Sequence, residues 1–226
     1  MKDIKEFRDI HAGERCFIIG NGPSLNKHDL SKIKNEITFG CNRIYLKKDV
    51  YPKYYTIEDR LDIEQFHNEI NAYNIPEYKF VPRQYMGYIK GDNVVYIRFG
   101  REKHKYDFVN KDKAYFVWGG TVTYLAIQLA YYMGCNPIYL IGMDHDWGGQ
   151  LDYGEGKIVT SNTDDAYHFS KEYYNEGKAW ALPDKPLMEH YYRIAKERLE
   201  SEGYEIYNAT IGGKLEIFDR VDYNEL

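Results

Sequence analysis

The residues most able to do chemistry lie in short clusters, each following an apolar run. Gly20-Asn21-Gly22-Pro23-Ser24-Leu25 is a glycine turn. Glycines there let a backbone approach a ligand closely, and the N–H groups around Ser24 could face phosphate oxygens. The turn is not a P-loop, because no Gly-Lys-Ser/Thr follows. It is not a full dinucleotide fingerprint either, because Leu25 stands at the third glycine and no acidic residue lies near position 40. Cys41-Asn42-Arg43 and Glu58-Asp59-Arg60 follow the next two runs. Asn42 offers a donor and an acceptor to a base or ribose, Arg43 and Arg60 could counter phosphate charge, and Glu58 joins them as a candidate nucleotide contact. Trp118-Gly119-Gly120-Thr121 opens a helix and makes a second anion-ready start. Asp144-His145-Asp146 puts two carboxylates and an imidazole after a further run. Asp144 and Asp146 are the candidate ligands for Mg²⁺ or Mn²⁺, and a ribose or sugar hydroxyl is an equal alternative partner for Asp144. His168, among Asp164, Asp165 and aromatic rings, could take a proton from an acceptor hydroxyl, oriented by a nearby carboxylate. His11, His28, His67, His104 and His190 read as surface residues, and His145 is left open.

These clusters need a scaffold that brings them to one edge. Apolar runs at 16–19, 37–39, 54–57, 78–81, 94–97, 115–117, 138–141 and 205–207 have the length of buried strands. Val122, Leu125, Ala126, Leu129, Ala130 and Met133 repeat with helical spacing, between Thr121 as N-cap and Gly134 as terminator. A second helix spans about 185–201, with Leu187, Tyr191, Ile194, Ala195 and Leu199 on one face. Strands alternating with helices predict an α/β fold: a single Rossmann-like domain over residues 1–226, with a mostly parallel sheet flanked by helices. Residues 142–183 are rich in Gly, Asp, Asn, Ser and aromatics without periodicity, and read as a long lid-like insertion that contacts the acceptor.

Composition narrows the class of function. With 30 Lys and Arg against 35 Asp and Glu, the net charge of −5 argues against a nucleic-acid partner. No apolar stretch has the length of a transmembrane segment, and the first twenty residues carry charge rather than a signal core. A cytoplasmic location, at most peripheral to the inner membrane, is the expectation. Cys16, Cys41 and Cys135 show no ligand spacing and read as small core residues. The 24 tyrosines exceed what a core needs; Tyr153, Tyr167, Tyr173 and Tyr174 crowd the same segment as His168, where rings could stack on a substrate.

Taken in order, GNGPSL, CNR, the WGGTVTYLAIQLAYYMG helix, GMD and Tyr167-His168-Phe169 resemble the MptE-like family and the related bacterial lipooligosaccharide sialyltransferases. On the sialyltransferase side, the resemblance implies a nucleotide pocket of Gly20, Asn21, Gly22, Pro23, Ser24, Asn42, Gly119, Gly120, Thr121 and Asp144, with His168 as general base. Tyr153 is the nearest counterpart of the tyrosines that steady the departing phosphate, while Asp146 stands where one of them is expected. The implied reaction is inverting transfer from a nucleotide sugar, a CMP-sugar as first guess, to a glycan or lipid-linked acceptor of surface polysaccharide. The other branch implies a Mg²⁺-dependent 6-hydroxymethylpterin diphosphokinase using ATP. A non-catalytic nucleotide-binding protein is the third reading. Mg²⁺ or Mn²⁺ is the only cofactor candidate, and a homo-oligomer is compatible with all three.

Overall fold

The computed structural model describes residues 2–74, 77–100, 107–148 and 157–226. In chain order its main elements are β1 (Cys16–Ile19), β2 (Ile37–Cys41), β3 (Tyr54–Thr56), α1 (Arg60–Ala72), β4 (Tyr78–Pro82), β5 (Val94–Phe99), β6 (Tyr115–Phe116), α2 (Val122–Tyr132), β7 (Ile138–Ile141), β8 (Ile158–Thr160), β9 (Ala179–Ala181), α3 (Lys185–Ser201), β10 (Ile206–Asn208) and β11 (Asp219–Arg220). Nine strands form one sheet in the order β11-β10-β7-β1-β2-β3-β4-β5-β6, and every neighbouring pair in it is parallel. The expected α/β fold is therefore present. β8 and β9 form a small antiparallel hairpin of their own.

Both faces of the sheet are covered, which is why its strands read as unbroken apolar runs. Side chains alternate across the pleat. Cys16 and Ile18 of β1 pack with α2 and α3 on one face; Phe17 and Ile19 pack with α1 on the other. All of Thr123–Tyr132 in α2 is buried, because the helix is sandwiched between the sheet and α3. Each fully buried Leu or Ile there contributes about 1.5–3 kcal/mol. The three cysteines are buried thiols in this core.

Several elements depart from the sequence expectation. The buried stripe of α3 is Met188, Tyr192, Ala195 and Leu199, one residue on from the stripe read at 187 and 191; Leu187 instead lines a cavity and Tyr191 packs on Tyr124. α1 was not foreseen, although Asp59 caps it by accepting from Leu61 N and Asp62 N, and Ile63, Phe66 and Ile70 line its buried face. His11 and His28 are buried rather than exposed. His11 Nε2 lies 2.7 Å from the Tyr54 hydroxyl, and the His28 ring sits between the carbonyls of Ser24 and Ala209.

The chain runs outward from β1 in both directions, to β2 on one side and to β7 on the other. At such a switch point the loops at the carboxyl ends of the two central strands separate and leave a crevice. The sheet's far edge is shaped by a side chain. β6 stops at Phe116 because Gln128, fully buried in α2, takes both backbone groups of Val117: Val117 N donates to Oε1 and Nε2 donates to Val117 O, each at 2.8 Å. This releases Trp118–Thr121 from the sheet toward the crevice. Gln128→Leu would strand both backbone groups, and is expected to cost about 2–3 kcal/mol in chemical denaturation.

Candidate active site

The crevice is lined first by the loops after β1 and β7. Gly20 N donates to Ile141 O at 2.8 Å and Gly22 N to Gly142 O at 2.9 Å. Asp144 accepts from Ser24 N at 3.2 Å and from Ser24 Oγ at 2.6 Å. A Cβ on Gly22 would lie 1.9 Å from Asp144 Oδ2. The glycine at 22 is thus demanded by the neighbouring loop rather than by a ligand, and the Ser24 N–H expected to meet phosphate is already engaged. Pro23 is exposed at the first position of the short 3-10 helix that follows.

The other predicted residues separate into those at the cleft and those beneath it. Asn21, Asn42, Gly120, Thr121, Asp144 and His168 line it, as do Glu58 and the exposed Trp118. Gly119 sits tight against Tyr124, where a Cβ would fall 2.2 Å from Cδ1. Arg43 does not face the cleft. Its guanidinium is 5 % exposed and lies 3.8 Å over the Phe66 ring; it donates to Glu69, Tyr45 and the carbonyls of Glu172 and Tyr173. Arg43 therefore anchors the 165–174 segment instead of binding phosphate. Tyr153, and His104 among the histidines, lie outside the described residues.

Asp144 and Asp146 have separate partners. Asp146 is held by Lys214 Nζ at 3.0 Å and by Gly148 N at 3.1 Å, while Asp144 is turned to Ser24. His145, buried with a left-handed φ of +52°, pairs with Glu189 at 3.2 Å. Among the described residues no group of three His, Cys, Asp or Glu side chains could hold a metal ion. The described side chains alone do not build a divalent cation centre.

His168 is the best-supported polar group in the cleft. Its Nδ1 lies 2.8 Å from Asp165 Oδ2, and its ring stacks on Tyr173 at 3.9 Å and 3°. Asp165 also accepts from the backbone N–H groups of Tyr167 at 2.7 Å, His168 at 3.0 Å and Tyr174 at 3.1 Å. Burial raises the Asp165 pKa, but His168 and these N–H donors outweigh it and hold the carboxyl below its usual range. With Nδ1 committed, Nε2 is the nitrogen left for a substrate. The sequence signal is the acid three residues before His168; Asp164 is an equal candidate in sequence, and the turn at 165–168 selects Asp165. Tyr173 and Tyr174, expected to meet substrate, are largely buried: Tyr173 supports the His168 ring, and Tyr174 donates to Asp62 at 2.7 Å while stacking on Trp180.

The cleft has two lobes that share Asn42, Thr121, Val122, Trp147, His168 and Met188. The smaller, about 160 Å³, lies between the glycine turn, the 142–147 loop and the start of α2. The larger, about 610 Å³, is walled by Trp118, Trp147 and Trp180, all three tryptophans of the chain. The tryptophans come from two loops and from β9, so nothing in their spacing announced the wall.

An α/β sheet with a ligand-sized cleft at its switch point defines a binding or catalytic class common to nucleotide-handling proteins. The family model described as 6-hydroxymethylpterin diphosphokinase MptE-like matches residues 1–150, and the chain belongs to that family. No curated protein and no solved structure matches it. The matched stretch carries the glycine turn, Asn42, Glu58, Thr121 and Asp144; His168 and Asp165 lie beyond it. The family is named for a diphosphokinase, and nothing in the comparisons points to a glycosyltransferase or a sialyltransferase. No described helix is long and apolar enough to cross a membrane.

Two buried acids make the site's stability depend on pH. Burial, with Asp59 adding to it, pushes the carboxyls of Glu58 and Asp62 up to about 8. The folded state then keeps protons that the unfolded chain has released, so their stabilisation is complete below about pH 4 and is lost as pH rises to 8. The unfolding free energy of the ligand-free protein, measured by urea denaturation, should fall between pH 5 and pH 8 by on the order of 3 kcal/mol per group. Asp62→Asn, which still accepts from Tyr174, should flatten that slope.

Proposed function

We propose that the protein is a diphosphokinase-type transferase that moves the terminal diphosphate of ATP to the hydroxymethyl group of a reduced pterin. The observation that carries this reading is the position of the Asp165–His168 pair at the junction of a small cleft lobe with a larger aromatic one. Membership of a family named for 6-hydroxymethylpterin diphosphokinase MptE supports a transferase with small-molecule substrates. The small lobe opens on the first turn of α2, where backbone N–H groups and the helix dipole favour phosphate oxygens. The large lobe, with its three indoles, suits a planar ring system.

In this reading the ring stacks in the large lobe with its hydroxymethyl group turned to His168. The hydroxyl oxygen attacks the β-phosphorus of ATP as Nε2 of His168 takes the hydroxyl proton. The bond from the β-phosphorus to the α–β bridging oxygen breaks, and AMP leaves. Asp165 keeps the imidazole in the tautomer that presents a bare Nε2, then stabilises the imidazolium that forms. No step is assigned to a protein-held cation. A glycosyltransferase would use the same pair on an acceptor hydroxyl, but neither the family match nor the lobe shapes favour it.

Incubation with ATP, Mg²⁺ and 6-hydroxymethyl dihydropterin should release AMP with formation of the pterin diphosphate. His168→Ala should lower kcat about 10²–10⁴-fold with nucleotide affinity retained. Failure to release AMP, or tight binding of CMP with none of ATP, would remove this reading.

A further inference from the structure

Within the large lobe the unsatisfied polar atoms are all of one kind. Glu58, at the carboxyl end of β3, is 7 % exposed, and its buried Oε2 has no hydrogen-bond partner among the described residues. Asn42, at the carboxyl end of the adjacent β2, likewise leaves a buried Oδ1 without a partner among the described residues. Both residues line the lobe. A buried carboxyl without a cation or donor costs stability, and here the nearest charge of note is Asp59, of the same sign. The backbone of Asn42 is already settled, with its N–H donating to Thr56 O and its carbonyl accepting from the Tyr55 hydroxyl. Its side-chain oxygen has no structural duty left. Two orphaned acceptors define what must fill the gap: donors carried by a ligand.

We propose that Glu58, assisted by Asn42, selects the ring bound in the large lobe by accepting hydrogen bonds from adjacent ring N–H and exocyclic amino donors, as on a 2-amino-4-oxopyrimidine edge. This deepens the diphosphokinase reading and rests on it for assigning the large lobe to the acceptor. For Asn42 Oδ1 and for the ionised carboxylate of Glu58, phosphate and ring carbonyl oxygens have the wrong polarity, because they bring acceptors to acceptors. A planar carboxylate matches two parallel N–H donors in one plane, and the indole walls hold a ring in that plane. Burial keeps the carboxyl largely neutral in the empty lobe, so donors arriving with the ligand are what stabilise its charged form.

The discriminating probes are 6-hydroxymethylpterin and its 2-deaminated lumazine counterpart, which replaces the exocyclic amino donor with a carbonyl acceptor. Because every tryptophan lines the lobe, binding is read by quenching of intrinsic fluorescence, with calorimetry as a second measure. The wild-type protein should bind the pterin at least tenfold more tightly than the lumazine. Glu58→Gln, an isostere that adds an amide donor and needs no charge, should lose at least tenfold in pterin affinity and should narrow or invert the preference, with ATP affinity unchanged. Equal binding of the two rings by the wild type, no binding of either, or an unaltered preference in Glu58→Gln overturns the proposal. Turnover separates it from the functional reading. AMP release with an unaltered Glu58→Gln preference removes only the selection role, whereas Glu58-dependent pterin binding without AMP release removes only the diphosphokinase.

Discussion

The site depends on one interaction, the carboxylate of Asp144 seated on the N–H and hydroxyl of Ser24 across the bare Cα of Gly22. β1 and β7 are neighbours in the sheet, but their loops would separate at the switch point without a tie. A charge-assisted contact to a serine that is 3 % exposed contributes about 1.5–3 kcal/mol. It also has a geometric effect, because fixing Asp144 fixes the loop that carries His145, Asp146 and Trp147. The contact extends outward: Lys214 N donates to Asp144 O at 2.7 Å and Lys214 Nζ reaches Asp146. Residues that look like phosphate and metal ligands in one dimension thus form the frame of the site in three.

The segment bearing His168 is tied down by a second set of contacts. Arg43, buried below β2, holds the carbonyls of Glu172 and Tyr173, while Phe169 N donates to Asn21 O at 2.9 Å and Asn26 donates to Phe169 O at 2.8 Å. The β1 and β2 loops therefore position the histidine, and Asp165 sets its tautomer. This arrangement meets the demand of proton transfer, in which a base must be held by neighbours that are themselves fixed.

Buried charge around the cleft follows one logic. Arg43 and Asp165 are fully partnered and stable as ions, one by a carboxylate, a phenol and carbonyls, the other by an imidazole and backbone N–H groups. Glu58 and Asp62 are incompletely partnered, and burial holds them near neutral at physiological pH. The first pair serves the scaffold. Glu58 stands at the ligand, where an unsatisfied acceptor can be rewarded only by what binds.

Much of this was legible in one dimension. Unbroken apolar runs separated by periodic helices determine a parallel sheet covered on both faces, because only burial on both sides tolerates such runs. The clusters at Gly20, Asn42, Glu58, Thr121 and Asp144 had to share one sheet edge, since each follows a parallel strand. His168 stood out because an imidazole between acids and rings has few structural uses in a polar loop. Tertiary structure alone decided which polar groups were spent. Whether Arg43 meets phosphate or carbonyls and whether Asp144 meets a metal or Ser24 depend on partners more than a hundred residues away, and whether Asp164 or Asp165 holds His168 depends on side-chain directions within one turn. The same holds for the three tryptophans that meet in one wall and for the two oxygens left without donors. Sequence order records which groups exist; only packing determines which of them remain unsatisfied, and those are the ones a ligand can use.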